Sequence, residues 1–126
     1  MPPHFQRDCK RLRGAMLVFD HVGLTTSEPQ PDENWIEQSR CWVTNPRNHP
    51  EHIEFLRYAE GTTVPEAVRA NPHVAFRVGS LEPHMEGQEI LIPPFVVANF
   101  VRVVFIRKYG MVFEYMQYLN DSWFDA

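Results

Sequence analysis

The sequence predicts a single α+β domain built from two related halves, with more strand than helix. Short runs of alternating apolar and polar residues recur along the chain, and a period of two indicates strands that bury one face. Only two stretches carry the start and stop signals of a helix. Each half opens on a strand that contains a histidine and closes on a strand that contains a glutamate.

In the first half, strands are predicted at Met16–Thr26, within Trp35–Thr44 and at His52–Tyr58. The segments Ser27–Asn34 and Asn45–Pro50 contain prolines and asparagines without periodicity, so they are predicted to be a loop and a turn.

Alternation places Phe19, His21 and Gly23 on one face of the first strand. In the second strand, Trp42 is expected to be the buried anchor.

The second half follows a predicted linker helix at Thr63–Ala70, in which Thr63 and Glu66 have the spacing of a capping box. Strand Pro72–Val78 comes next and directs His73 and Ala75 to one face. The remaining predicted elements are a short helix at Ser80–Gly87, a short strand at Glu89–Ile92 that Pro93 and Pro94 end, and a hairpin of Phe100–Arg107 and Met111–Tyr118.

Composition limits the class of protein. The 126 residues fit one compact domain, and a hydrophobic fraction of 44% is enough for a folded core. No apolar run approaches the roughly 18 residues of a membrane span, and no N-terminal block resembles a secretory signal. Cys9 and Cys41 form neither a disulfide framework nor a metal knuckle, so a reducing compartment is expected, most simply the cytoplasm.

The net charge of −4 is unevenly distributed. Residues 1–15 sum to +3 and are expected to form a disordered basic extension, which leaves −7 on residues 16–126. An acidic body argues against a nucleic-acid groove, because phosphate contacts require clustered lysine and arginine.

Two strands recur along the chain. FDHVGLT and NPHVAFR align His21 with His73 at an offset of 52, and IEFLRY and FEYMQY align Glu54 with Glu114 at an offset of 60. Two matches in the same order favour duplication of a half-domain.

Burial of these glutamates would require a partner of opposite charge. Alternation puts Glu114 between Val112 and Met116 on its strand face, and an unpaired buried carboxylate is costly. Two glutamates and two histidines directed into one cavity could share a divalent cation, which would be zinc, nickel, cobalt, manganese or iron(II). The alternative is that both glutamates face solvent and pair with Arg57, Arg77 or Arg102.

The openings FDHVGL and PHVAFRV, the SLEPHMEG segment and the closing GMVFEYMQ together resemble the vicinal oxygen chelate superfamily. That superfamily includes glyoxalase I, methylmalonyl-CoA epimerase, extradiol dioxygenases, and the fosfomycin and bleomycin resistance proteins. The resemblance covers residues 16–118 and implies two βαβββ modules whose sheets curl around a metal cavity. It divides a glyoxalase-like domain of residues 16–126 into module one (16–62), a linker helix (63–70), module two (71–118) and a tail (119–126).

By this resemblance, His21, Glu54, His73 and Glu114 are the metal ligands, and Glu54 and Glu114 are also catalytic. Four protein ligands with a glutamate at position 54 are similar to the set in glyoxalase I, whereas dioxygenases of the superfamily use two histidines and one glutamate.

The chain departs from the superfamily in its spacing. Between His21 and Glu54 lie 32 residues, and between His73 and Glu114 lie 40, both fewer than usual. A proline-rich segment, SEPQPDENW, stands where the first module would have a helix, so that helix is expected to be reduced or lost. A sheet face that no helix covers favours burial against a second chain. Homodimers are also common in the superfamily, so a homodimer is expected.

The leading hypothesis is a glyoxalase-type lyase or isomerase that acts on a small substrate with two adjacent oxygens. The metal would act as a Lewis acid and favour an enediolate. Glu54 or Glu114 would be the base, and His52 is less suitable because Val112 replaces it in the second half.

Two alternatives remain open at this point. One is a metal-free protein that binds an antibiotic-like small molecule among aromatic side chains. The other is an iron(II) dioxygenase in which Glu54 stays out of the metal shell. The aromatic residues considered for such a cavity are Trp35, Trp42, Tyr58, Phe100 and Tyr118.

Overall fold

A single mixed sheet of eight strands curls into a half-barrel. The structure, a computed structural model, describes residues 16–123, so the predictions for residues 1–15 and for the end of the tail lie outside it. The strands are β1 (Leu17–Thr25), β2 (Asn34–Ile36), β3 (Cys41–Val43), β4 (Ile53–Tyr58), β5 (His73–Val78), β6 (Glu89–Val97), β7 (Val101–Lys108) and β8 (Met111–Tyr118). A 3-10 turn at Pro46–Asn48 occupies the predicted turn before β4.

The strand order β2-β3-β4-β1-β5-β8-β7-β6 is symmetric about a seam between β1 and β5. These two strands are antiparallel, and each is parallel to the closing strand of its own half, β4 or β8. Antiparallel pairing joins the other strands within each half. The predicted α+β class, with a curled mixed sheet, is therefore confirmed.

A β-bulge at Asp20 changes the predicted face of Phe19. Phe19 pairs with Phe76 whereas His21 pairs with Ala75, so one extra residue lies in β1 between the two pairs. Phe76 and Ala75 are consecutive on β5 and lie on opposite faces. The prediction that Phe19 shares a face with His21 is therefore wrong, because alternation cannot reveal an inserted residue.

The segment predicted within Trp35–Thr44 forms the hairpin β2–β3, and Trp42 is not its buried anchor. Cys41 and Val43 are buried instead, with 1% and 3% of their surface exposed. Because these two neighbours face the core, Trp42 lies on the opposite face. There its ring is 4.6 Å from that of Trp35, and the Arg57 guanidinium lies 4.0 Å from its centroid.

Both predicted helices are present but are reduced to one turn. Helix α1 is Glu66–Arg69, and its N-cap is Pro65 without a side-chain cap, so the predicted cap at Thr63 is wrong. Helix α2 is Glu82–Met85. Residues 26–33, where module one would carry its helix, contain none.

Strand β6 runs through Pro93 and Pro94, which were predicted to end it. It is the last strand in the sheet order, and its register against β7 shifts between Ile90 and Ile92 and again before Phe95. An edge strand with irregular pairing tolerates prolines, because they are not required to donate ladder hydrogen bonds there. The prediction of a stop after Ile92 is therefore wrong.

The predicted hairpin of β7 and β8 is confirmed. Its two turn residues are Tyr109 and Gly110, with φ values of 54° and 73°. Positive φ at both central residues is the geometry of a type I′ turn, whose twist matches that of the flanking strands.

Apolar clusters cover both faces of the sheet. The larger cluster lies on one side and includes Val68 from α1. The smaller cluster lies on the opposite side, where Leu81 and Met85 pack with Val104, Ile106 and other residues of the second half.

At the start of β1, Leu17, Val18 and Phe19 are about half exposed. The homodimer expected to cover an open sheet face stays a prediction. Within residues 16–123, none of the helices has the length and apolar character needed to cross a membrane.

Leu81→Ala should lower the free energy of unfolding by about 2–5 kcal/mol, because it leaves a cavity under α2 in a fully buried position. Urea denaturation measures the loss. Leu119→Ala is the matched control, since Leu119 is 52% exposed and its truncation should change stability by less than about 0.5 kcal/mol. Equal effects of the two substitutions would contradict the packing of Leu81 against the sheet.

Candidate metal centre

The four residues predicted as metal ligands come together at the centre of the sheet. Glu54 lies on β4, His21 on β1, His73 on β5 and Glu114 on β8, so each of four adjacent strands contributes one side chain. All four side chains are buried, and the atoms that they offer to a metal lie within 4.8 Å of one another. Their function as ligands stays a prediction, but this arrangement could hold one cation.

Gly23 makes room for one of the histidines. In the sheet it pairs with Glu54 on one side and with His73 on the other. A Cβ atom at position 23 would overlap the imidazole ring of His73. The absence of a side chain therefore lets the ring of His73 lie across β1 toward the carboxylate of Glu54.

Ala75 has the equivalent position in the second half. It lies between His21 and Glu114 in the sheet and is fully buried. Each of the two small residues follows its histidine by two positions, so Gly23 stands to His21 as Ala75 stands to His73. The pattern was visible in the sequence, but its purpose depends on strand register, which the sequence does not give.

The donor atoms of the four side chains face a common point. Nε2 of His21 lies 3.4 Å from Oε1 of Glu54 and 3.3 Å from Oε1 of Glu114. Nε2 of His73 lies 3.7 Å and 3.1 Å from the same two oxygens. Neither nitrogen makes a hydrogen bond of acceptable geometry, although both are fully buried. Because buried polar atoms normally have partners, two such nitrogens beside two carboxylates fit a divalent cation.

Asp20 was not among the predicted site residues, yet it holds His21. Nδ1 of His21 lies 2.6 Å from Oδ1 of Asp20. A carboxylate only accepts hydrogen bonds, so Nδ1 is the donor and Nε2 is the nitrogen that faces the glutamates. Alternation assigned these consecutive residues to opposite faces of β1, and the bulge at Asp20 brings their side chains together.

Without a metal, the charges at this centre compensate one another. Burial disfavours the imidazolium of His21, but the carboxylate of Glu54 and the hydrogen bond to Asp20 outweigh burial and raise the pKa of His21 well above 6.5. Burial also opposes ionisation of Glu114, yet its contacts with His21 and His73 lower the pKa of Glu114 to about 2.

A cavity of about 50 Å³ adjoins the centre, among residues of the larger apolar cluster. Glu54 and Glu114 lie in its wall, which is otherwise mainly apolar and includes Phe95, Phe105 and Trp123. Among the described residues that line it, there is no lysine or arginine. The cavity thus presents two carboxylates to an apolar space.

The predictions for aromatic residues are correct in part. Tyr58 and Phe100 line the cavity. Trp35 and Trp42 do not, because they contact each other, with tilted rings, on the opposite face of the sheet. Tyr118 lies beside the centre, where its hydroxyl group donates a hydrogen bond to Asp20.

The alternative in which the glutamates face solvent is wrong. Glu54 is 7% exposed and Glu114 is 6% exposed. The three arginines considered as partners form other ion pairs, which are Arg57 with Glu33, Arg77 with Asp121, and Arg102 with Glu82. His52, which was judged a poor candidate for the base, is exposed.

Gly23→Ala should displace the ring of His73, because the added methyl group and the ring cannot occupy the same space. We expect a loss of about 1–3 kcal/mol in unfolding free energy, together with weaker divalent-metal binding, measured by urea denaturation and by calorimetric titration. Ala75→Gly is the control. It should cost about 0.5–1 kcal/mol as a strand glycine while leaving metal affinity unchanged. Unaltered metal binding by Gly23→Ala would contradict the proposed placement of His73.

The unfolding free energy of the metal-free protein should be greatest between about pH 4.5 and 6.5. The lowered pKa of Glu114 contributes stability that is complete above its ordinary value of 4.5 and disappears as pH falls toward 2. The raised pKa of His21 contributes stability that is complete below 6.5 and disappears as pH rises through the raised value. Urea denaturation with a chelator across this range checks the profile. Glu114→Gln should flatten the acid side of this profile, and an unchanged acid side would contradict the contacts of Glu114 with the two histidines.

Comparison with known proteins identifies the fold and no function. No protein-family model and no curated protein matches the sequence. Among solved structures, the crystal structure of the hypothetical protein BH1468 from Bacillus halodurans C-125 is similar, with a TM-score of 0.58. The two sequences are 14% identical, and the match covers 79% of this chain and 93% of that one. The chain therefore shares its fold with a protein that is described only as hypothetical.

Proposed function

We propose that this chain is a glyoxalase-like member of the vicinal oxygen chelate superfamily, namely a lyase or isomerase that requires a divalent metal. The observation that carries the proposal is the convergence of two buried histidines and two buried glutamates, one from each central strand, beside a cavity. Support also comes from the symmetric strand order, since the superfamily builds its cavity from two paired modules.

The cavity favours a small, uncharged substrate. Its apolar walls would accept an alkyl or aromatic substituent. A bound divalent cation and the two carboxylates would cancel in charge, so the centre would offer no net positive charge to an anionic group such as a phosphate. No cationic side chain lines the cavity among residues 16–123 to compensate such a group. We therefore propose a substrate with two adjacent oxygens and an apolar substituent.

When bound, the cation would act as a Lewis acid and favour loss of a proton next to the substrate oxygens. The chain itself must then provide a base. Glu54 is the better candidate, because its contacts with the two imidazoles are 3.4 and 3.7 Å, whereas those of Glu114 are 3.3 and 3.1 Å. Glu54 already lines the cavity, and as the more loosely held carboxylate it can move toward a substrate bound there.

The same difference favours a second candidate, an iron(II) dioxygenase. His21, His73 and Glu114 form the tighter set, and two histidines with one carboxylate are the usual ligands of non-haem iron(II) oxygenases. Aromatic cavity walls would suit a catechol. Anaerobic loading with iron(II), followed by measurement of oxygen uptake on catechols, separates this reaction from proton abstraction.

Glu114→Gln should weaken divalent-metal binding by about 100-fold or more, because it removes a charged ligand of the metal. Loss of a residue that only supports a ligand usually weakens binding by about 10- to 100-fold, and loss of the ligand itself should cost more. Titration of the chelated protein with zinc, nickel, cobalt, manganese and anaerobic iron(II) measures the affinity. Glu60→Gln is the control, because Glu60 is exposed and should bind metal as the wild type does.

A wild-type chain that binds none of these cations would overturn the proposed metal enzyme. If that chain nevertheless binds an aromatic small molecule, the result would favour the metal-free binding protein instead. If Glu114→Gln and Glu60→Gln bind metal equally well, the cation lies elsewhere and this site assignment is wrong.

A further inference from the structure

Three hydrogen-bonding side chains connect the cavity wall to His21. Oδ1 of Asp20 accepts from Nδ1 of His21 at 2.6 Å, and Oδ2 of the same carboxylate accepts from the Tyr118 hydroxyl at 2.8 Å. The Tyr118 oxygen in turn accepts from Nε1 of Trp123 at 3.2 Å. Trp123 lines the cavity, so the series begins at the ligand space and ends at the centre.

Other side chains pack against both aromatic members of the series. The Trp123 ring is 3% exposed and lies 5.0 Å from the ring of Phe100. The guanidinium of Arg77 lies 4.6 Å from the centroid of the Tyr118 ring, and that of Arg47 lies 5.5 Å from the same centroid. Two cations on an aromatic ring restrict its position, so the Tyr118 hydroxyl is directed at Asp20.

In this arrangement Asp20 orients His21, which is one of the four predicted metal ligands. A carboxylate that accepts from one ring nitrogen of histidine fixes which nitrogen carries the proton and how the ring is oriented. Oδ1 of Asp20 is occupied by His21 and Oδ2 by Tyr118, so the carboxylate cannot rotate without breaking both bonds. The ring of His73 is positioned differently, by aromatic packing: its centroid lies 5.2 Å from that of the Phe105 ring.

We propose that Asp20 is the positioning residue of the proposed metal centre and that Tyr118 and Trp123 hold it in place. Asp20 keeps the proton on Nδ1 of His21 and thereby directs Nε2 toward the two glutamates. This inference rests on the proposed function for its metal, but the orientation of His21 is a property of the metal-free chain. The influence of each residue on His21 decreases with its distance along the series.

The test combines imidazole NMR of the metal-free protein with zinc titration. The short Nδ1–H···O contact should give the wild type a strongly downfield, exchange-protected Nδ1 proton that is absent from His21→Gln. Asp20→Ala should abolish this resonance and weaken zinc binding by about 10- to 100-fold, and Asp20→Asn should restore part of both. Tyr118→Phe should shift the resonance and cause a smaller loss of zinc affinity than Asp20→Ala. Trp123→Phe should cause a smaller loss of zinc affinity than Tyr118→Phe.

Tyr115→Phe is the matched control. It also removes a buried tyrosine hydroxyl, but that hydroxyl accepts from Lys108 and is not part of the series. It should leave both the resonance and the zinc affinity unchanged.

Two results would overturn the inference. One is a wild type without the downfield proton. The other is a zinc affinity that is lost in Glu114→Gln but is unchanged in both Asp20→Ala and Tyr118→Phe. In that case the proposed function would stand, and only the positioning role of Asp20 would be wrong. If the wild type binds no metal, the proposed function fails, and the loss of the resonance in Asp20→Ala then decides by itself whether Asp20 positions His21.

Discussion

Two carboxylates buried in the wall of one apolar cavity are the constraint on which the centre of this structure depends. Glu54 and Glu114 would repel each other and lose their hydration if left alone there. The chain compensates with His21 and His73, which lie within 3.1–3.7 Å of the carboxylate oxygens. Imidazoles between carboxylates can bind a proton or a metal, and for this reason one set of contacts accounts for the charge balance of the free chain and for its proposed chemistry.

The sheet meets this constraint through register. Strands β4, β1, β5 and β8 are adjacent, and each contributes a single side chain to the centre. Small residues, Gly23 and Ala75, occupy the sheet positions between these side chains, so that imidazole rings can extend across neighbouring strands. None of the four side chains lies on a helix, and both helices are single turns.

The sequence was sufficient where the information is local and repeated. The offsets from His21 to His73 and from Glu54 to Glu114 identified the four residues, because halves with the same order of strands place equivalent residues on equivalent strand faces. Features that depend on pairing partners could not be predicted in this way. The bulge at Asp20 is visible only against β5, and the passage of β6 through two prolines requires the knowledge that β6 is an edge strand. The contact of Trp123 with the oxygen of Tyr118 belongs to the same group, since a tail residue has no periodicity to place it.

The division of the centre between two halves has a consequence for folding. Neither half has more than one histidine and one glutamate of the set, so a cation with four protein ligands can bind only after β1 and β5 have paired. These strands are distant in sequence, and contacts of that kind form at a high cost in chain entropy. Under the proposed function, the ion binds the native state and not the unfolded chain, and it therefore shifts the equilibrium toward the folded form by mass action. The fraction of folded chain in the cell would then follow the supply of the ion.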